Sequence, residues 1–511
     1  MQIKLLRRLF LAMCLWMWVP AQAQVEVLSR NVEFRAASFP GREKEFEEAF
    51  EWLKQGDGYF LRGPVYFEQA LEFYLKAQNF NPNNADLNYQ IGLCYLGMNK
   101  GRLNALRYFE RALALNSEMG NRFLFDLGKA YQYSLEFEKA IKVYLSYLDK
   151  MADKATPDDK QRADKAIREC ESGIELVKNP VRVRIENLGA NVNSRFPDYA
   201  PVLTADENKL LFTSRREGTT GDLVDPLDSM YLEDIYITYK IDGDWAPAKN
   251  IGKPINTDEH DGTISITPDG KKLLMYRTTG GGDIFETTYE GIHWTEPRNL
   301  KEINSRDYEN HAVYSIDGKH LFFISNRKDV NYQGSKDIFI ADVDEKGNLS
   351  NIRNAGPVVN TPYEEDGIFC HADGKTIYFS SAGHNTMGGF DIFKTTFENG
   401  AFTPPVNVGY PINSPEDDVF FIINRDETKA YFASYREEGY GDKDLYVMYF
   451  LKDVEMLSSL QFSVNDTTVG QSVQATIIIK DLTTGKIILE RETENGETIA
   501  NVPAGRAYEV T

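Results

Sequence analysis

Cysteine and histidine are scarce, with four and six copies in 511 residues. Loss of Cys14 with an N-terminal leader would leave Cys94, Cys170 and Cys370. An odd number in an exported chain excludes a closed disulfide framework and allows at most one internal bridge. None of these cysteines has metal-ligand spacing, and two lie in helical patterns and one in a strand pattern, which suits small buried side chains. Positive charge is also short: 57 Lys+Arg face 77 Asp+Glu, for a formal charge of −20. That balance opposes nonspecific binding to nucleic acid or anionic lipid, both of which need cations to displace counterions. Gly-x-Ser-x-Gly, His-Glu-x-x-His and a phosphate-binding loop are all absent, so nothing in the motifs points to catalysis, a metal or a cofactor. Long apolar runs are missing except at the N-terminus.

There, Lys4, Arg7 and Arg8 precede an apolar stretch from Leu9 to Pro20 and the small-x-small triplet Ala21, Gln22, Ala23. The stretch is shorter than the ~20 residues of a membrane span and fits a secretory signal peptide over residues 1–23. Met13 stands before Cys14 where a lipoprotein site wants a small residue, which argues against a lipid anchor.

Residues 43–179 carry helical periodicity under a longer repeat. Ala70, Ala105 and Ala140 are 35 residues apart, each followed at the fourth position by Tyr74, Phe109 or Tyr144. Gly58, Gly92 and Gly128 each stand three before a large residue, Leu61, Tyr95 and Tyr131. This resembles three tetratricopeptide repeats, with a capping helix from Pro157 to Asn179. The resemblance implies either a structural spacer or a groove for an extended partner, with Tyr95, Tyr131 and Tyr133 as candidate contacts.

Between 181 and 450 the pattern becomes short strands separated by Asp-Gly, Pro and Asn turns. Asp-Ile-Tyr/Phe, or Asp-Leu-Tyr in the last copy, recurs at Asp234, Asp283, Asp337, Asp391 and Asp444, 49 to 54 residues apart. An Asn turn leading to Asn-Ser/Thr recurs as often, from Asn187, Asn250, Asn299, Asn354 and Asn407. Units of this length with two hairpins predict a five-bladed β-propeller, closed by a first strand that completes the last blade. Pro268-Asp269-Gly270-Lys271 and the Ser-x-Arg sequences near Ser214, Ser325 and Ser434 resemble the TolB-type, WD40-like repeat. An insertion, Glu217 to Glu233, is read as a rim loop open to binding or to drift.

Acids follow the Asn-Ser/Thr turns: Asp258, Glu259 and Asp261; Glu364, Glu365 and Asp366; Glu416, Asp417 and Asp418. They form the candidate propeller-rim site, either as an acidic ring for a cation or basic partner or as braces between blades. The ligand spacing and central glycine of a calcium loop are missing, which favours braces. His260, His311 and His371 lie near such acids, and repetition accounts for that without a metal.

Residues 456–511 resemble the start of a carboxypeptidase-regulatory-like β-sandwich, with turns at Thr484-Gly485 and Asn495-Gly496 and an ending inside a strand. The expected fold class is therefore multidomain, α then β: helical stack, five-bladed propeller and partial sandwich. In that order the modules resemble the PorE-type proteins of Bacteroidota, associated with type IX secretion. The resemblance implies a noncatalytic periplasmic scaffold, associated with the outer membrane, that docks envelope and secretion-system proteins. It also implies peptidoglycan tethering through an OmpA-like domain that these 511 residues do not contain. The alternative is a ligand-sensing propeller that takes a glycan or peptide in its central funnel.

Overall fold

The computed structural model describes residues 30–511 apart from 329–331, 437–438, 452–456, 466–471, 483–484, 494–495 and 504–506. The expected signal peptide and Cys14 lie outside the described residues, as do Thr484, Asn495, Ala504 and Gly505 of the tail. The chain divides into two units: Met1–Val181 with Ile185–Met448, and Arg182–Arg184 with Tyr449–Thr511. No helix among the described residues is long and apolar enough to cross a membrane.

Small residues pressed against large rings organise the first part. Seven helices run as α1 (Glu43–Phe60), α2 (Phe67–Phe80), α3 (Ala85–Gly97), α4 (Asn104–Leu115), α5 (Asn121–Tyr133), α6 (Phe137–Met151) and α7 (Pro157–Lys178). Helices α1 and α2, α3 and α4, and α5 and α6 pack as pairs, and α7 packs on α6. The repeated alanines Ala70, Ala105 and Ala140 are fully buried, as are Tyr74, Phe109 and Tyr144. Gly56, Gly92 and Gly128 face those three rings so closely that an added Cβ would come within 3.0 Å of ring carbons. The first of these differs from the sequence expectation: Gly58 has open space around it, and Gly56 makes the approach. Two glycines one half-turn apart are interchangeable in a pattern, and only the packing tells them apart. Thr156 and Asp159 form a reciprocal capping box at the start of α7, with Pro157 in the first turn where its missing N–H is not needed.

The second part is a ring of five antiparallel sheets, I to V in chain order. Their innermost strands are Asp198–Leu203, Asp261–Ile266, Glu309–Tyr314, Glu365–Cys370 and Val419–Ile423. Each lies beside the next, and the fifth returns to the first. In each sheet two further strands follow by hairpins; two-residue strands complete the outer edge in sheets I, II and IV, and Leu349–Asn354 does so in sheet III. Sheet V takes its fourth strand, Val183–Asn187, from the beginning of the region. That closure pairs the outer edge of Asp444–Phe450, which would otherwise be open to another chain.

The two sequence landmarks meet at every junction. The side-chain amides of Asn187, Asn250, Asn299, Asn354 and Asn407 donate to Asp444, Asp234, Asp283, Asp337 and Asp391 at 2.6–2.7 Å. The second asparagine of each turn (193, 256, 304, 360, 413) accepts from the backbone N–H and donates to the C=O of one buried residue of the preceding sheet, at 2.8–3.0 Å. Such a side chain replaces the ladder that the chain gives up on leaving a sheet. Four turns place a glycine at φ 76–92° two residues after the first asparagine; the turn at Asn299 is one residue shorter and has none.

In the second unit, Leu457–Ser463 pairs with Glu497–Pro503, and Thr476–Asp481 lies between Ile487–Glu492 and Tyr508–Val510. Its core holds Ile477, Ile479, Ala500 and Val502. Cys94, Cys170 and Cys370 are buried free thiols, each pushed up by burial and so poor nucleophiles.

Candidate functional site

The acids at the starts of the innermost strands have three different roles. Asp261, Glu365 and Asp418, with Asp198 and Glu309, are completely buried. Each accepts from the backbone N–H and hydroxyl of the Ser or Thr four residues earlier, at 2.6–3.1 Å. In four sheets an arginine pairs with the acid: Arg216 with Asp198 at 2.5 Å, Arg277 with Asp261 at 2.6 Å, Arg327 with Glu309 at 2.9 Å and Arg436 with Asp418 at 3.8 Å. In sheet I the pairing arginine is Arg216, while Arg215 binds Asp228 of the insertion. These groups are internal struts, closed to any ligand.

Sheet IV breaks the rule. Gly383 occupies the arginine position, and an added Cβ there would collide with the Thr361 side chain. His384 takes over only one of the arginine's contacts, placing Nε2 2.9 Å from the Val359 carbonyl. Glu365 is left with hydroxyl and amide donors and no cation. Burial pushes its carboxyl up to about 8, so it is protonated at neutral pH. Asp418, with the loosest arginine, is pushed by burial to about 6.

A second group of acids braces neighbours. Glu364 meets Lys336 at 3.2 Å and the Ser335 hydroxyl at 3.0 Å. Asp366 binds Lys336 at 3.3 Å and accepts from the Asn310 amide at 3.1 Å. Burial works against charge on Asp366, but the Lys336 ammonium holds it below the usual carboxylate range. Glu259 instead accepts within its own sheet, from the hydroxyls of Thr278 and Thr279, and Asp417 accepts from the Phe390 N–H of sheet IV at 3.1 Å. Asp258 is exposed.

Glu416 alone of the candidate acids reaches the helical stack. It pairs with Arg102, from the loop between α3 and α4, and both side chains are more than four-fifths buried. Arg102 also lies over the Tyr133 ring, 4.7 Å from its centre. Around this pair, Asn99 donates to Asp442 at 2.7 Å and Gln132 donates to the Met387 carbonyl at 3.2 Å. The Met387 side chain is fully buried in the helical core. Lys165 lies over the Tyr363 ring, and Arg168 donates to its hydroxyl at 3.5 Å. Burial pushes the Tyr133 hydroxyl up to about 12 and lowers Lys129.

The three candidate tyrosines therefore go to different places. Tyr95 stacks on Tyr108 of the next helix, Tyr131 donates to Glu110 at 2.9 Å, and Tyr133 sits in the seam with sheet V. Among the described residues no ring contact joins them. Sequence reasoning missed Asn99, Arg102, Met387 and Asp442, which lie in loops without periodic signal. The insertion forms a small hairpin, bridged at Val224 and Tyr231 and pinned by Arg215 to Asp228 at 2.5 Å, and it leaves Leu227 91% exposed. Among the described residues no group of His, Cys, Asp and Glu is arranged to hold a metal ion.

No protein-family model matches the chain, and no curated protein matches it. Solved structures resemble it in fold at low identity. A protein assigned as TolB from Agrobacterium tumefaciens is 17% identical over 63% of this chain and 98% of its own, with a TM-score of 0.33. An alpha-L-arabinofuranosidase from Lactobacillus brevis is 12% identical over 51% of this chain and 92% of its own, with a TM-score of 0.31.

Proposed function

We propose that the chain is a noncatalytic scaffold of the cell envelope, built as a tetratricopeptide stack on a five-bladed, TolB-like propeller with a regulatory-like sandwich after it. It resembles the PorE-type periplasmic proteins, and on this reading it presents envelope and secretion-system partners to one another at the outer membrane. The observation that supports the reading is the seam at Arg102 and Glu416. A salt bridge, two side-chain hydrogen bonds and a buried methionine fasten the helices to the face of the ring. The helices and the ring are thereby joined into one platform, which suits docking more than turnover. In this reading Tyr133 and Glu416 hold the platform together, while the unburied helical surface and the insertion hairpin are left for partners.

The test is binding of the purified chain to individual type IX secretion envelope components by interferometry, beside an export assay in a deletion strain. Specific binding to at least one component, with loss of export on deletion, is expected. No binding tighter than about 10 μM, a weak-encounter value, together with unchanged export would refute the scaffold role.

A further inference from the structure

The innermost strands of all five sheets enclose a cavity of about 880 Å³ along the ring axis. That is the size of a small-molecule site. It opens between the hairpin turns at Asp206, Asp269, Asp317, Asp373 and Asp426, three of them Asp-Gly, on the side where the innermost strands end. Each sheet contributes an apolar wall residue: Leu203, Ile266, Val313, Phe369 and Ile422.

The cavity has a floor. Phe420 stacks on Tyr199 of sheet I with ring centres 5.9 Å apart and on His311 of sheet III at 5.6 Å, so three near-parallel rings from sheets V, I and III cross the axis. To reach that position Phe420 adopts φ 55°, a region unfavourable for a bulky side chain. Gly367 of sheet IV makes room, since a Cβ there would lie 3.0 Å from the Phe420 nitrogen. His311 is pushed down to about 4 by burial and is a neutral ring at physiological pH. The funnel is therefore blind, so an extended chain has no way through it.

Polar groups gather at the mouth and are mostly engaged. Glu286 faces both Lys272 and Arg298 at 3.4 and 3.7 Å, and Glu207 faces Lys429 at 3.4 Å. A glycan seated deep in the funnel would bury hydroxyls against the five apolar wall residues, which offer them no hydrogen-bond partner. An apolar body meets no such penalty.

We propose that this axial funnel binds a small molecule with a compact apolar, preferably aromatic, body that rests on Phe420 and leaves its polar group at the hairpin-turn mouth. This site is independent of the docking platform. It takes up the ligand-sensing alternative but changes the ligand class from glycan or peptide to apolar small molecule.

The probe is 1-anilinonaphthalene-8-sulfonate, titrated into the full chain and followed by fluorescence and calorimetry. One-to-one saturable binding with Kd below about 50 μM is expected, as is a raised melting temperature, since a ligand of the folded state stabilises it. Filling the funnel from two different sheets, by Ile266→Trp or Ile422→Trp, should weaken binding at least about tenfold. Leu227→Asp, on the exposed hairpin, should leave it unchanged. 4-tert-Butylbenzoate should displace the dye. The absence of saturable binding to the native chain overturns the proposal without any variant. So does unchanged binding in a folded filled variant, loss of binding in Leu227→Asp, or displacement by an apolar peptide but not by the benzoate. Loss of partner docking with dye binding intact would bear on the scaffold reading alone.

Discussion

Replacing Glu365 with glutamine should change the pH dependence of stability in one direction and by a large amount. The carboxyl is fully buried, has no arginine, and is pushed by burial from 4.5 to about 8. Its folded state thus holds a proton over a range in which the unfolded chain has released it. The stability this contributes is complete below pH 4.5 and is lost as pH rises through 8, at about 1.4 kcal/mol per pH unit. Over the whole window the loss is about 5 kcal/mol. Glu365→Gln removes the titration while keeping the shape and an oxygen to accept from Thr361 and Ser381. Urea unfolding of both proteins at pH 5, 6, 7, 8 and 9 should therefore show the variant gaining on the native protein with rising pH, most steeply between 5 and 8. Asp261→Asn provides the contrast in sheet II. There the acid faces Arg277 at 2.6 Å, and removing it strands a buried guanidinium, at a cost of about 3–5 kcal/mol at neutral pH. If native and Glu365→Gln curves run parallel from pH 5 to 9, Glu365 is charged in the fold and the reasoning from the missing arginine is wrong.

Other outcomes follow from the packing. Gly92→Ala gains helix propensity but drives a methyl into the Phe109 ring; a net loss of about 1–2 kcal/mol is expected in thermal melts, whereas Gly58→Ala should be neutral or stabilising. Asn360→Ala leaves the Ile338 N–H unpaired in a buried site, while the Ile338 C=O keeps the Ala355 N–H, and should cost about 1–3 kcal/mol by urea titration. A double-mutant cycle of Arg102→Ala and Glu416→Ala should give a coupling of about 1–3 kcal/mol that falls little with added salt, because both groups are buried in the seam; a coupling near zero would mean that the seam is held by Met387 and its apolar neighbours.

Much of the local architecture could be read directly from the chain. Ala70, Ala105 and Ala140 and the two asparagine landmarks repeat because each copy meets the same surroundings, and identical surroundings select identical residues. Helices first and antiparallel hairpins afterwards followed from the change of period near Pro180. Even the exception in sheet IV is visible as Gly383 where neighbouring copies carry arginine, though its consequence for Glu365 needed the burial.

What the sequence could not supply are contacts made once. Arg102 meets Glu416 across more than 300 residues, and Phe420 reaches Tyr199 and His311 in sheets that are not its neighbours in the chain. Gly56 rather than Gly58 approaches Tyr74 because of helix register, which a pattern of small residues leaves undecided. Repeating residues encode the unit, since local hydrogen bonds and packing fix it in every copy. Closure of the ring and docking of the helices upon it bring together side chains with no shared spacing, and only the tertiary structure decides which of them meet.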